Sequence, residues 1–349
     1  MSQFIQLHLL TAYSPSNLNR DDLGRPKTAI VGNTERLRIS SQSLKRAWRT
    51  SKIFEEALGE YKGKRTKRLG KLFYDYLLNK GITEKQAEGW VETVIKHFGS
   101  IDKSADKKIY TAQLVHVAPE EEQAVYELLD KLIVENRAPE NKELESLLRK
   151  NAKAVDIALF GRMLADSPSK NVEAAVQVAH AFSVNSVKIE DDFFTAVDDL
   201  NKHDIDAGAG HMGDSGFGSG IFYQYICINK TQLIENLVDE GLANKAIKAL
   251  VEAAAKVAPT GKQNSFASRA YTSCLLAEKG SQQPRSLAVA YFKAIKDSDP
   301  VKAAIGVLKK QRDYFEKAYG ACAETYLLMD VHDDTANVSL DDILHFVAE

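Results

Sequence analysis

The sequence predicts an α+β protein in which strands near both ends of the chain enclose a helical insertion. Three observations carry that prediction. Short alternating runs such as Phe4 to Thr11 (FIQLHLLT) and Ser219 to Asn229 (SGIFYQYICIN) read as strands. From about Ile53 to Lys150 the pattern changes to long amphipathic helical stretches separated by Gly, Pro and Ser. Phe193 to Gly220 then forms an irregular excursion with six glycines between residues 208 and 220. The 349 residues, 44% of them hydrophobic, allow two or three domains with sizeable cores.

Taken in order, the first strand leads into a loop, Tyr13 to Pro26, whose Pro, Gly, Ser, Asn and Asp content disfavours regular structure. This loop delivers Arg20, Arg25 and the nearby Lys27. Short strands at Ala29 to Val31 and Arg36 to Ile39 precede a helix for which Ser40 offers the N-cap hydroxyl. Ile39 and Leu44 then occupy the two positions of a hydrophobic staple. Gln42, Lys45 and Arg49 share one helix face, while Leu44, Ala47 and Trp48 form the core-facing stripe. First-turn amides, the helix dipole and two long cations suit a phosphate, although the spacing alone equally allows a solvated basic face. In the insertion, Lys62, Lys64, Arg65, Lys67, Arg68 and Lys71 read as a solvated face.

Strand signals return at Val155 to Leu159 and at Val176 to Val184, with Gly161, Arg162 and Met163 in a loop between them. His180 reads as a hydrogen-bonded core histidine. After the excursion come one or two alanine-rich helices over Thr231 to Val257, closed by Pro259. Strands follow at Arg269 to Ala277 and Ser286 to Ala290, then a helix at Val301 to Tyr319, a strand at Thr325 to Asp330 and a short helix at Leu340 to Val347. No repeat of fixed period is present, so any repetition comes from assembling copies.

The net charge of −2 hides an asymmetry: residues 1 to 50 carry +5 and the remainder −7, and the tail from Asp330 onward holds no Lys or Arg. That distribution suits a polyanion in one groove, or contact between unlike faces of identical subunits. No apolar run reaches membrane-spanning length and the N-terminus lacks a signal-peptide pattern, so a cytoplasmic protein without membrane contact is expected. Cys227, Cys274 and Cys322 are widely spaced and read as reduced thiols.

Several motifs fail on context. Gly208, Gly210 and Gly213 spell the dinucleotide fingerprint without its strand and helix. The His203–Asp204 pair and the His332, Asp333, Asp334 cluster lack companions at ligand spacing. Gly216, Phe217 and Gly218 resemble part of an RNA-binding strand signature, but Ser215 and Ser219 occupy its basic and stacking positions. No nucleophile elbow or phosphate loop is present, so neither cofactor nor metal is expected, and Asp21 and Asp22 are the only acids in the loop beside the basic track.

HLLTAYSPSNLNRDD, RLRISSQSLKRA, VDIALFGRM and FFTAVDDL with SGIFYQY downstream resemble, in the same order, the CasC-type backbone subunits of Cascade, the type I-E CRISPR surveillance complex. SSQSLKRA is the most specific block. The resemblance implies an RNA-recognition-motif-like (ferredoxin-like) palm over residues 1–52 and 151–349, a helical fingers insertion over 53–150 and a β-hairpin thumb over 193–225. It implies a non-catalytic subunit of antiviral defence, several copies of which stack head to tail along a CRISPR RNA. Each thumb would reach over its neighbour and flip out a base. Other Cascade subunits complete the complex, which meets target DNA through the guide.

By the same resemblance, Lys27, Ser40, Gln42 and Lys45 contact the RNA backbone with Arg20 nearby, and Arg49 stands where relatives have lysine. Arg162 and Met163 lie in the loop that approaches the guide. A subunit that must accept every guide directs its contacts to phosphates and sugars. Two other readings stay open: a type III-like backbone subunit that cuts RNA with metal and a loop aspartate, Asp21 or Asp22, and a monomeric single-strand RNA chaperone.

Overall fold

Two cores meet on the first strand, β1 (Phe4–Ser16), which is why it is buried along most of both faces. In the computed structural model, which describes residues 2–106, 108–151, 153–164, 168–196, 211–335 and 337–349, Ile5, Leu7 and Leu9 enter one core. Leu10 and Ala12 enter the other, as the alternation of strand side chains requires. The strand runs past Thr11 and through Pro15, into what composition marks as loop. Its register against its partner shifts between Tyr13 and Ser16, and proline is tolerated at such an irregularity.

The next strands, β2 (Thr28–Val31) and β3 (Thr34–Ile39), form a hairpin whose central residues Gly32 and Asn33 have φ of 57° and 61°. Positive φ at both positions is the tight-turn geometry that matches strand twist. A Cβ added at Gly32 would lie 1.6 Å from the Phe292 carbonyl oxygen. Gly32→Ala is therefore expected to cost about 2–4 kcal/mol of stability, from steric overlap and left-handed strain together. A urea melt with an unchanged midpoint would contradict this.

Helix α1 (Ser41–Arg49) starts as its sequence directs: Ser40 Oγ accepts from Ser43 N at 3.3 Å, a cap worth about 1 kcal/mol. Ile39 and Leu44 are buried in the same core, and Leu44, Ala47 and Trp48 form the buried stripe. Helix α2 (Lys52–Leu58) adds Phe54 and Leu58 to that core. The insertion's separate core begins at Leu69. The insertion comprises β4 (Lys64–Thr66), α3 (Leu69–Asn79), α4 (Glu84–Ile95), β5 (Val115–Val117), α5 (Pro119–Glu135) and α6 (Asn141–Glu145). Phe73, Trp90, Val94 and Leu129 lie at its centre.

The chain returns through α7 (Val155–Phe160), a helix where the apolar run predicts a strand. Five apolar residues carry no decisive period, and here Ala158 N and Gly161 N bond the carbonyls four residues back. Strands β6 (Val176–Val178) and β7 (Ala181–Ser183) replace the single strand expected, and His180, in the break between them, is exposed rather than in the core. Strand β8 (Glu190–Ala196) pairs with the first part of β9 (His211–Asn229), from Glu190 opposite Phe217 to Ala196 opposite His211. Residues 197–210, with His203, Asp204, Gly208 and Gly210, lie outside the described residues.

Two helices, α8 (Lys230–Leu237) and α9 (Glu240–Lys256), occupy the alanine-rich stretch, followed by the short α10 (Gln263–Phe266). Strand β10 (Cys274–Gly280) starts five residues later than expected. The expected strand at Ser286 is instead a turn of 3₁₀-helix, because the Leu287 and Ala288 amides are spent on Tyr223 Oη and Ser286 Oγ. Helix α11 (Pro300–Tyr319), β11 (Thr325–Asp330) and α12 (Leu340–Ala348) complete the chain.

The main sheet is antiparallel and runs β11, β10, β1, β9, β7, β3, β2, with β6 and β8 also paired to β9. Helices α1, α2, α8, α9 and α12 cover one face and α11 the other. On the α11 side, buried Glu278 joins His8, Arg285 and Arg312. Burial alone would raise its pKa, but the hydrogen bonds from Arg285 and His8 hold it well below the usual carboxylate range. Cys227 and Cys274 are buried free thiols, pushed by burial up to about 11 and about 12, while Cys322 is half-buried.

Candidate nucleic-acid interface

The loop between β1 and β2 is stitched together by its own Asn and Asp side chains. Asp21 Oδ1 accepts from Leu23 N and Arg25 N at 3.0 and 2.9 Å. Asn19 is the organiser: its Oδ1 accepts from Ser40 N at 2.8 Å and its carbonyl from Lys27 N at 2.8 Å. Those two bonds bring Arg20, Lys27 and the start of α1 to one place. An open cleft of about 460 Å³ lies there, lined by Asn19, Arg20, Asp22, Ser43, Thr260 and Gly261 among others. Gly261 permits the far wall to close in, since a Cβ there would sit 2.3 Å from the Leu18 carbonyl oxygen.

On α1, Gln42 is exposed and Lys45 half-buried, with its Nζ 5.6 Å from the centroid of the Phe160 ring. Partial burial lowers the Lys45 pKa, so an anion beside it would restore stabilisation of the charged form. Among the described residues, Arg20, Lys27, Lys45 and Arg46 have no ion-pair partner, which leaves four cations available around this helix and loop.

Arg49 does not join them. Its Nε lies 2.6 Å from Asp156 Oδ2 and its Nη2 donates to the Gly63 carbonyl at 2.8 Å. The last turn of α1 faces the point where the insertion leaves and rejoins, so this side chain points inward. Arg162 is likewise placed otherwise than a guide-facing loop requires. Its side chain is 1% exposed, paired to Glu121 at 2.6 Å and bonded to the carbonyls of His116, Arg149 and Lys170. The neighbouring Met163 is 85% exposed, and the Lys45–Phe160 contact brings its segment beside α1.

Beyond the residues expected from sequence, Arg38 and His180 flank Lys27. Arg38 Nη1 donates to His180 Nδ1 at 2.8 Å, and partial desolvation with the Arg38 and Lys27 charges lowers the His180 pKa. Thr260 and Gly261 carry no local signal that would connect them with Arg20, because the chain passes through the insertion and most of the sheet between them. No group of three or more His, Cys, Asp or Glu that could hold a metal occurs among the described residues. No helix among them is long and apolar enough to cross a membrane.

A family model described as CT1975-like protein matches residues 5–345. No curated protein sequence matches the chain. Among solved structures, a chain of a "CRISPR RNA-guided surveillance complex, pre-nicking" is 30% identical with a TM-score of 0.85, over 99% of both chains. A chain of a "CRISPR RNA-guided surveillance complex" is 25% identical with a TM-score of 0.76, also over 99% of both.

Proposed function

The chain belongs to the CT1975-like family, the CasC-type backbone subunits, and on that premise we propose that it is a non-catalytic, cytoplasmic backbone subunit of a type I-E Cascade complex. Copies of it bind CRISPR RNA head to tail, assemble with the other Cascade subunits and meet target DNA through the guide. The observation that carries this reading is the open cleft beside α1, lined by Arg20, Ser43 and Thr260 together with Asp21 and Asp22, with the unpaired cations Lys27, Lys45 and Arg46 on the loop and helix around it. Such a site takes phosphates and sugars and ignores sequence. Its protein side is Arg20, Lys27, Ser40, Gln42, Lys45 and Met163, whereas Arg49 and Arg162 hold the framework behind it.

The palm is an RNA-recognition-motif-like unit of residues 1–52 and 151–349, the fingers span 53–150 and the thumb 193–225. The separate core from Leu69 onward supports the fingers, and the paired arms of β8 and β9 support a hairpin thumb, although β9 from Gly218 onward is paired with β1 in the main sheet. Head-to-tail contact is favoured by charge. The basic N-terminal elements lie toward the β2 edge of the main sheet, and the acidic tail follows β11 at the opposite edge. The Asp21 carboxylate is occupied in holding its own loop, which favours a structural over a catalytic aspartate.

The test is light scattering of the purified chain with single-stranded RNAs of increasing length and mixed sequence, followed by gel analysis after incubation with Mg²⁺. Mass should grow stepwise with RNA length, and the RNA should stay intact. A monomer at every length, or cleavage at regular intervals, would overturn the reading.

A further inference from the structure

The loop that builds the cleft also holds the root of the β8–β9 hairpin. Asn17 is fully buried, and both of its Nδ2 hydrogens are used: one on the Gly24 carbonyl at 3.0 Å, inside the loop, and one on the Gly216 carbonyl at 2.9 Å, on the hairpin arm. Its Oδ1 is buried without a partner among the described residues, so the amide is held by donation alone. Three further contacts hold the root of the hairpin, one of them from the same loop. Ser16 Oγ donates to the Gly218 carbonyl, Arg25 Nη2 pairs with Asp191 Oδ1 at 2.9 Å across to β8, and Lys262 from the far cleft wall donates to Ser215 Oγ. At its other end the loop is tied to the start of α1 through Asn19.

From this juxtaposition we infer that the loop from Asn17 to Lys27 couples occupancy of the cleft to the angle of the hairpin, with Asn17 as the positioning residue. The inference rests on the function proposed above. A phosphate drawn in by Arg20 and the start of α1 orders the loop. The ordered loop holds Gly216 and Asp191, and through them fixes the hairpin where it can meet a second copy on the same RNA. Binding one copy then favours the next without any direct contact between the RNA sites. Two sites that bias one shared element are coupled in this way, commonly by 5- to 150-fold in affinity.

The experiment uses the full chain and two fluorescein-labelled oligouridylates, one long enough for a single copy and one for several. Asn17→Asp keeps the shape but removes both donors and sets a carboxylate against two carbonyls. It should leave affinity for the short RNA unchanged within about twofold, and lower affinity for the long RNA about tenfold while the Hill coefficient falls toward one. Because that variant could misfold, Arg25→Asp serves beside it: its own side chain and that of its partner are both about half exposed, at 43% and 56%. Arg25→Asp should lose cooperativity in the same way, and adding Asp191→Arg should restore it. Equal losses on both RNAs, no change on either, or failure of the charge swap to rescue would overturn the coupling. Wild-type protein that binds neither RNA would overturn the proposed function, and the coupling with it, and is distinguishable from those outcomes.

Discussion

Asp156→Ala is expected to lower stability by about 3–5 kcal/mol, the cost of leaving buried partners of an ion pair uncompensated. The carboxylate is fully buried. Oδ2 receives Arg49 Nε at 2.6 Å and His116 Nε2 at 2.8 Å, and Oδ1 receives Gly63 N at 2.8 Å and Ile157 N at 3.2 Å. These donors come from α1, from both sides of the insertion and from α7, so one side chain joins the insertion to the main sheet's core. The two tryptophans report the two cores separately, Trp48 beside the sheet and Trp90 in the insertion. Single Trp→Phe variants of each, melted in urea, should show coincident transitions in the parent. With Asp156→Ala the transitions should separate and the Trp90 signal should move to lower urea. Unchanged midpoints for both probes would sink this account.

The pH dependence has a definite sign. Burial would raise the Asp156 pKa, but the hydrogen bond and charge of His116, with the Arg49 and Gly63 bonds, outweigh it and lower the folded value. A lowered folded value contributes stability that is present above the unfolded aspartate pKa of about 3.9 and is lost as the pH falls through the folded one. The difference in stability between parent and Asp156→Asn should therefore shrink on acidification below about pH 4.

What the sequence showed and what it hid divide along sequence separation. Ser40, Ile39, Leu44, Ala47 and Trp48 lie within ten residues, and cap, staple and stripe are all written locally, so the helix was legible to the residue. Arg49 looked free by its helix spacing and Arg162 by its place in a loop, but their carboxylate partners stand 107 and 41 residues away. The α7 run carried no period of its own, and Asp156 at its start takes up donors from α1 and the insertion. The loop from Tyr13 to Pro26 read as irregular because Asn and Asp mark turns. That the same side chains would bind it to α1 and to the hairpin depends on the Ser40 amide 21 residues away and the Gly216 carbonyl 199 residues away. Thr260 and Gly261 were invisible for the same reason. Local chemistry located the capped helix with its basic face, whereas the cleft wall opposite it and the buried frame behind it required the fold.

That separation gives the second large effect. Replacing Arg20, Lys27 and Lys45 together by Ala should weaken binding of a short oligouridylate by about a thousandfold or more at low salt, since each lost charge-assisted bond is worth about 1.5 kcal/mol or more. The diagnostic readout is the slope of log K against log salt. Each phosphate neutralised on a single strand contributes about 0.7 to that slope, so the triple variant should be shallower by about 2. Replacing the oligouridylate by a mixed sequence should leave both numbers unchanged, because the contacts are to the backbone. Arg49→Ala is the decisive comparison. Spacing alone places it on the same face as Lys45, but its guanidinium is committed to Asp156 and Gly63, so its removal should lower the urea midpoint and leave the slope as it was. If Arg49→Ala reduced the slope as much as Lys45→Ala, the guanidinium would have to leave Asp156 for the RNA, and the buried frame would have to open on binding. If the triple variant kept the parent's slope, the cleft would not be where the phosphates sit.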